Sequence, residues 1–250
     1  MINLIKMYCQ VLVEHKKSLG WLLAAQLGLV FLTVLQFFSL VEVGEQSASL
    51  AKLFYFSLGG IASRLYGFHI IRVLCISLGP FFVIYLVRES QEMIGHYFVG
   101  RVRRMGYLRL SGLVSSGIVH MIISALWIGL LFGISSLKNW SAAGKFFFIG
   151  GSQWVPYVLL ITWLHMTVGL YLLSVLFEGS MKYFSQPIVG FMFFVISVVF
   201  SVGVSTFLPA ISYLLPGMYP LIDRSKVILE YHIIGQLITS SMLTWLVVRK

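Results

Sequence analysis

Long apolar runs separated by short polar stretches set the pattern of this chain. Leu19 to Val41, Leu110 to Ile134, Trp154 to Glu178, Pro187 to Leu208 and Ile228 to Val248 each approach or exceed the roughly 20 residues a helix needs to cross the bilayer core. A shorter run from about Ile70 to Val87, with Pro80 predicting a kink, makes a sixth. Ahead of the first crossing, Met1 to Ser18 has a different period. Ile2, Ile5, Cys9, Leu12 and Val13 share one face and Asn3, Lys6, Gln10, Glu14 and Lys17 the other. Such a helix lies in the membrane interface rather than spanning it.

The polar stretches are equally informative. Arg88 to Arg109 is the only long, strongly charged segment between two strongly apolar ones, and it carries Arg88, Arg101, Arg103, Arg104 and Arg109. The positive-inside rule places it in the cytoplasm. As a helix, Glu89 to Val99 puts Met93 with Tyr97 and Ile94 with Phe98 on one face, and Glu89, Glu92 and His96 on another, with Gly95 and Gly100 interrupting or ending it. This amphipathic inner helix is suited to the membrane surface and to a soluble partner. The apolar middle of Glu42 to His69 is too short and glycine-broken to cross, and reads as interfacial, while Lys138 to Gln153 is an outer loop. Glu178 and Lys182 fall in a short inner loop. Pro209 to Lys226 is apolar but broken by Pro209, Pro216 and Pro220, which predicts a re-entrant outer hairpin before the last crossing.

Composition turns this pattern into a class. The chain has 250 residues, 59% of them hydrophobic and only 10% charged. With a mean hydropathy of +0.94 it cannot present a soluble globular surface. The expectation is an all-α integral membrane protein of six transmembrane helices, one domain over 1–250, with both termini cytoplasmic in a cytoplasmic membrane. On this topology eleven Lys or Arg lie inside and seven outside. The net charge of +10 is then explained by topology and anionic lipid, so membrane lipids are expected partners and nucleic acid is not. Cys9 on the cytoplasmic side and Cys75 within the bilayer should form neither a disulfide nor a metal site. The full-length first crossing behind a polar segment does not resemble a cleavable signal peptide.

Familiar catalytic signatures are missing. No histidine belongs to an HExxH pattern, and neither a GK[ST] phosphate loop nor a GxSxG elbow occurs, so no catalytic, cofactor or metal residues are assigned and the chain is not expected to be an enzyme. His120 and His165 lie well inside spans, where ionisable groups are functional candidates; a neutral histidine bonded to a neighbouring helix is the alternative. Ser197, Ser201 and Ser205 form a further polar stripe, and with the two histidines make the candidate cavity lining. Gly112, Ser116, His120 and Ser124 repeat at four-residue steps, as do Ala125, Gly129 and Gly133, so two faces of the third crossing are small or polar, and Gly20, Ala24 and Gly28 form a stripe on the first that permits close helix contact. Arg72 can snorkel to the headgroups, or with Arg64 attract an anionic substrate. The middles of the spans hold no Asp, Glu or Lys, which argues against an ion-coupled carrier.

In layout the chain resembles the type-2 permeases of ATP-binding-cassette exporters, which have an interfacial helix, six spans, an inner helix between spans two and three and a broken hairpin before span six. The local likeness is Glu89, Gly95, the patch Tyr97, Phe98 and Val99, and the basic pair Arg103 and Arg104, although the proline and lysine that many members carry before the third span are lacking. The resemblance implies a permease subunit, paired with a second permease chain as a homo- or heterodimer. A separate ATPase subunit, which holds ATP and magnesium, would dock on Glu89, Glu92, Met93, Gly95, His96, Tyr97 and Phe98. It implies export of a hydrophobic or amphipathic cargo such as a peptide. The alternative is an immunity or assembly protein that binds a hydrophobic ligand without any ATPase.

Overall fold

A computed structural model describes residues 2–42, 53, 78–91, 105–138, 155–184, 187–207 and 229–249. The helices among them are α1 (Ile2–Glu14), α2 (Lys16–Glu42), α3 (78–91), α4 (Met105–Leu137), α5 (Val155–Tyr183), α6 (Pro187–Phe207) and α7 (Leu229–Val248), and no strand occurs among the described residues. Four of them, α2, α4, α5 and α7, are long and apolar enough to cross a membrane. This is a multi-pass membrane protein by helix length and composition. The expected external connection 43–69, apart from Leu53, the first part of the second crossing, the segment 92–104, the outer loop after Lys138 and the hairpin 209–226 lie outside the described residues.

Three boundaries differ from the sequence expectation, each for a physical reason. The interfacial helix is expected to reach Ser18, but α1 ends at Glu14 and, after a one-residue turn at His15, Lys16 and Lys17 open α2. On α1 the buried positions are Tyr8 and Leu12, while Val13 is 66% exposed. Consecutive residues lie more than a quarter-turn apart on a helix of 3.6 residues per turn, so Leu12 and Val13 cannot both centre on one narrow face. The third crossing starts at Met105 rather than Leu110, because α4's first turn packs on the end of α7. A Cβ at Gly106 would stand 2.6 Å from the Val248 carbonyl oxygen, an approach only glycine allows.

The third correction concerns Glu178, expected in an inner loop. Helix α5 instead continues to Tyr183, and Glu178 is buried within it at 3% exposure. Cationic side chains of Arg88, Arg109 and Lys182 bear on its carboxylate, Lys182 from one turn further along the same helix. An uncompensated carboxylate there would be costly.

Helix α5 is the hub, packed against α4, α6 and α7. Its partners pair in register: His120 and Ser124 of α4 meet Ser174 and Thr167, so α4 and α5 are antiparallel, whereas His232 and Thr244 of α7 meet His165 and Tyr171, so α5 and α7 run the same way. Phe177 of α5 lies edge-on to Phe81 of α3, with centroids 4.6 Å apart, and to Phe194 of α6 at 5.5 Å. Gly190 of α6 lets Met181 close in, its sulfur 2.8 Å from where a Cβ would be. At one end of the bundle, here called the foot, α1, the end of α3, the start of α4 and the ends of α5 and α7 converge. The last turn of α7 is capped there by cations, Lys182 Nζ donating to the Val247 carbonyl at 2.7 Å and Arg109 to the same oxygen at 3.5 Å.

Candidate functional site

A buried polar seam runs between α4 and α5. Gly112, Ser116, His120 and Ser124 fall one turn apart on α4 and all are buried, Gly112 against Val87 and Gln91 of α3, and His120 and Ser124 against the hub. Opposite it, Thr167, Tyr171, Ser174 and Glu178 recur at steps of four, three and four along α5. His120 Nε2 lies 2.7 Å from Ser174 Oγ, and Ser124 Oγ lies 2.7 Å from Thr167 Oγ1 while also donating to the His120 carbonyl. Trp163 Nε1 donates to the Met121 carbonyl at 3.0 Å. In a medium without water, such side-chain bonds are what hold polar groups between helices.

A second polar contact joins α5 to α7. His165 Nε2 and His232 Nδ1 are 2.7 Å apart, with ring centroids at 4.8 Å. Gln236, one turn along α7, places its amide nitrogen 3.5 Å from His232 Nε2. With that nitrogen as donor, His232 Nε2 accepts, the proton of the neutral ring sits on Nδ1, and His232 donates to His165. Tyr171 and Thr244 hydroxyls meet at 3.3 Å nearer the foot.

At the foot, Tyr8 of α1 is fully buried and its hydroxyl has no partner at hydrogen-bond geometry. Burial pushes its pKa well above the usual phenol value, Gln91 beside it lowers it in part, and the charge of Glu178 raises it again. Tyr8 therefore stays a neutral hydroxyl, its ring packed in a cluster with Leu86 and Val87 at the end of α3 and Leu108 at the start of α4.

The sequence-predicted residues separate into groups. His120 and His165 are both fully buried but not brought together: one faces α4's partner Ser174, the other faces His232. Ser174 and His165 are nine residues apart on one helix, a rise of about 13 Å. Ser197 of α6 is half-buried and donates to the Phe193 carbonyl at 2.8 Å. The backbone of Ser201 and Ser205 continues α6, and their side chains lie outside the described residues. Glu89 is exposed near the end of α3, while Glu92, Met93, Gly95, His96, Tyr97 and Phe98 lie outside the described residues.

Sequence reasoning missed Ser174, Thr167, His232, Gln236, Tyr8 and the burial of Glu178. The stripe Thr167, Tyr171, Ser174, Glu178 was visible as helical spacing within an apolar run; that His232 would meet His165 was not. His120 with Ser174 has the geometry of a base and a hydroxyl nucleophile. Both side chains are 0% exposed and His120 Nδ1 has no partner to orient the ring, so the contact serves as a tie between helices. Among the described residues no group of three or more His, Cys, Asp or Glu could hold a metal ion. The chain matches no protein-family model, no curated protein and no solved structure.

Proposed function

We propose that this chain is the permease subunit of an ATP-driven exporter, moving a hydrophobic or amphipathic cargo such as a peptide across the cytoplasmic membrane. One observation carries the reading. Arg109, which closes the arginine-rich segment, and Lys182 of the hub helix both donate to the Val247 carbonyl at the end of α7, at 3.5 and 2.7 Å. A push on that segment therefore reaches α5, and through it the polar contacts with α4 and α7. The directions of α2, α3, α4, α5, α6 and α7 alternate away from and toward the foot, which supports six crossings with both termini on the cytoplasmic side. Glycines 20, 28, 129 and 133 meet nothing within 4 Å where a Cβ would stand, and these outward faces of α2 and α4 leave room for a second permease chain.

In this reading the ATPase subunit, with its ATP and magnesium, docks at Glu89, Glu92 and the segment that follows. The test is co-purification of a tagged chain with an ATPase, followed by Glu89→Arg and Glu92→Arg. These variants should fold normally and still recruit the ATPase, yet hydrolyse ATP without transport. Normal transport by both removes the coupling role. A second reading, an immunity or assembly protein that works without an ATPase, is favoured by one feature, an apolar groove between α1, α2 and α4. Activity in cells stripped of the partner ATPase distinguishes it.

A further inference from the structure

The groove has a volume of about 260 Å³ and sits where α1 leaves a gap against α2 and α4. Leu12 of α1, Leu22 and Leu23 of α2, and Ile118, Ile122 and Leu126 of α4 line it, with Cys9 on its α1 side. Ile122 is 57% exposed and Leu126 44%, so the groove opens sideways, in the direction of the acyl chains around a spanning helix. From Ile118 to Leu126 it follows α4 for about 12 Å, close to the half-thickness of a roughly 30 Å hydrocarbon core.

Charge marks one end. Lys16 and Lys17 are exposed at the start of α2, within two turns of Leu19 and Leu22 and directly after the turn at His15. Lys6 is exposed on α1, one turn before Cys9, and Glu14 is the one acidic side chain among these groups. Basic side chains thus stand at one end of a slot with an aliphatic lining.

We infer that the gap between α1, α2 and α4 is a binding site for one anionic phospholipid, its acyl chain in the groove and its phosphate held by Lys16 and Lys17. A peptide is a poor occupant, because its backbone N–H and C=O groups would find no hydrogen-bonding side chain in the lining apart from the weak thiol of Cys9. An acyl chain carries none of these groups. The bound lipid completes the packing of α1, which otherwise reaches α4 through the Tyr8 and Leu12 cluster and a long bond from Ser115 Oγ to the Ile5 carbonyl, at 3.5 Å. The site is independent of the transport reading, and its test involves no ATPase.

The experiment uses the full chain with Cys75→Ser, so that Cys9 is the only thiol, and measures its maleimide modification rate in detergent. Added phosphatidylglycerol should protect Cys9 at a concentration on the order of thirtyfold lower than phosphatidylcholine does, the worth of two lysines at an anionic headgroup. Lys16→Gln with Lys17→Gln should erase that preference, while Ile122→Trp, which fills the groove, should slow Cys9 modification with no lipid present. Size-exclusion profiles matching the parent establish that each variant is folded. Equal protection by the two lipids, no protection by either, a preference that survives the double lysine variant, or protection by an amphipathic peptide where phosphatidylglycerol gives none would each overturn the site.

Discussion

Helices α2 and α5 have the same mean hydropathy over their most apolar windows, yet 53% of the α5 window is buried inside the bundle and only 22% of the α2 window. Hydropathy therefore fixes that both can cross a membrane and says nothing of which one is central. What differs is where their polar and small residues fall. On α5, Thr162, His165, Ser174, Glu178 and Ser180 are buried. Those contacts include hydrogen bonds to α4 and α7. On α2, Gln26 and Thr33 are the buried polar residues, Thr33 bonds its own backbone at Leu29, and Trp21, Phe31 and Leu32 face outward. In lipid an apolar surface has no reason to hide, so the inside is chosen by close packing and hydrogen bonding.

The largest test of this contrast replaces glycines on the two kinds of surface. Gly106→Leu drives a side chain into the Val248 carbonyl and should cost about 3 kcal/mol, whereas Gly28→Leu, with nothing near its Cβ, should stay within about 0.5 kcal/mol. Thermal unfolding in detergent reads both. Equal damage from the two would mean that the α2 face is covered after all, and would turn attention to a second copy.

Next in size is the histidine contact. His165→Ala should lower stability by about 1–3 kcal/mol. Adding His232→Ala should cost less than the sum of the singles, with a coupling of about 1 kcal/mol in a double-mutant cycle. Strict additivity would separate the rings and reduce α7 to an apolar neighbour of the hub.

Smaller still, Ser124→Ala should cost about 0.6 kcal/mol, the average for a side-chain bond between membrane helices. Tyr8→Phe should cost nothing or stabilise by up to about 1 kcal/mol, since it removes a buried hydroxyl with no partner. A clear loss on Tyr8→Phe, read by the same melting assay, would show that the hydroxyl has a bonding role at the foot.

Much of this architecture was legible beforehand. Apolar run length gave α2, α4, α5 and α7 to within a few residues, and the period of Met1 to Ser18 gave α1. The four-residue ladder Gly112, Ser116, His120, Ser124 reads as one face of α4, and the structure buries it, His120 and Ser124 against α5 and Gly112 against α3. The second ladder, Ala125, Gly129, Gly133, has the same spacing and similar chemistry, yet Ala125 and Gly129 are exposed. Nothing local distinguishes two small-residue stripes on one helix, because the choice is made by whichever neighbour brings matching hydroxyls and rings. For the same reason His120 and His165 could be named from depth alone while their partners Ser174 and His232 could not.

The sequence by itself determined a helical membrane protein, the helices most able to cross, and a charged segment between the second and third apolar runs, since hydrophobic length and periodicity are properties of a single helix. Only the tertiary structure decided that α5 is the hub, that Glu178 is buried within it, and that α1 leaves an apolar slot beside α2 and α4. Those facts depend on which faces meet across tens of residues, and a sequence of similarly apolar helices leaves that choice to packing and to the few hydrogen bonds that lipid cannot supply.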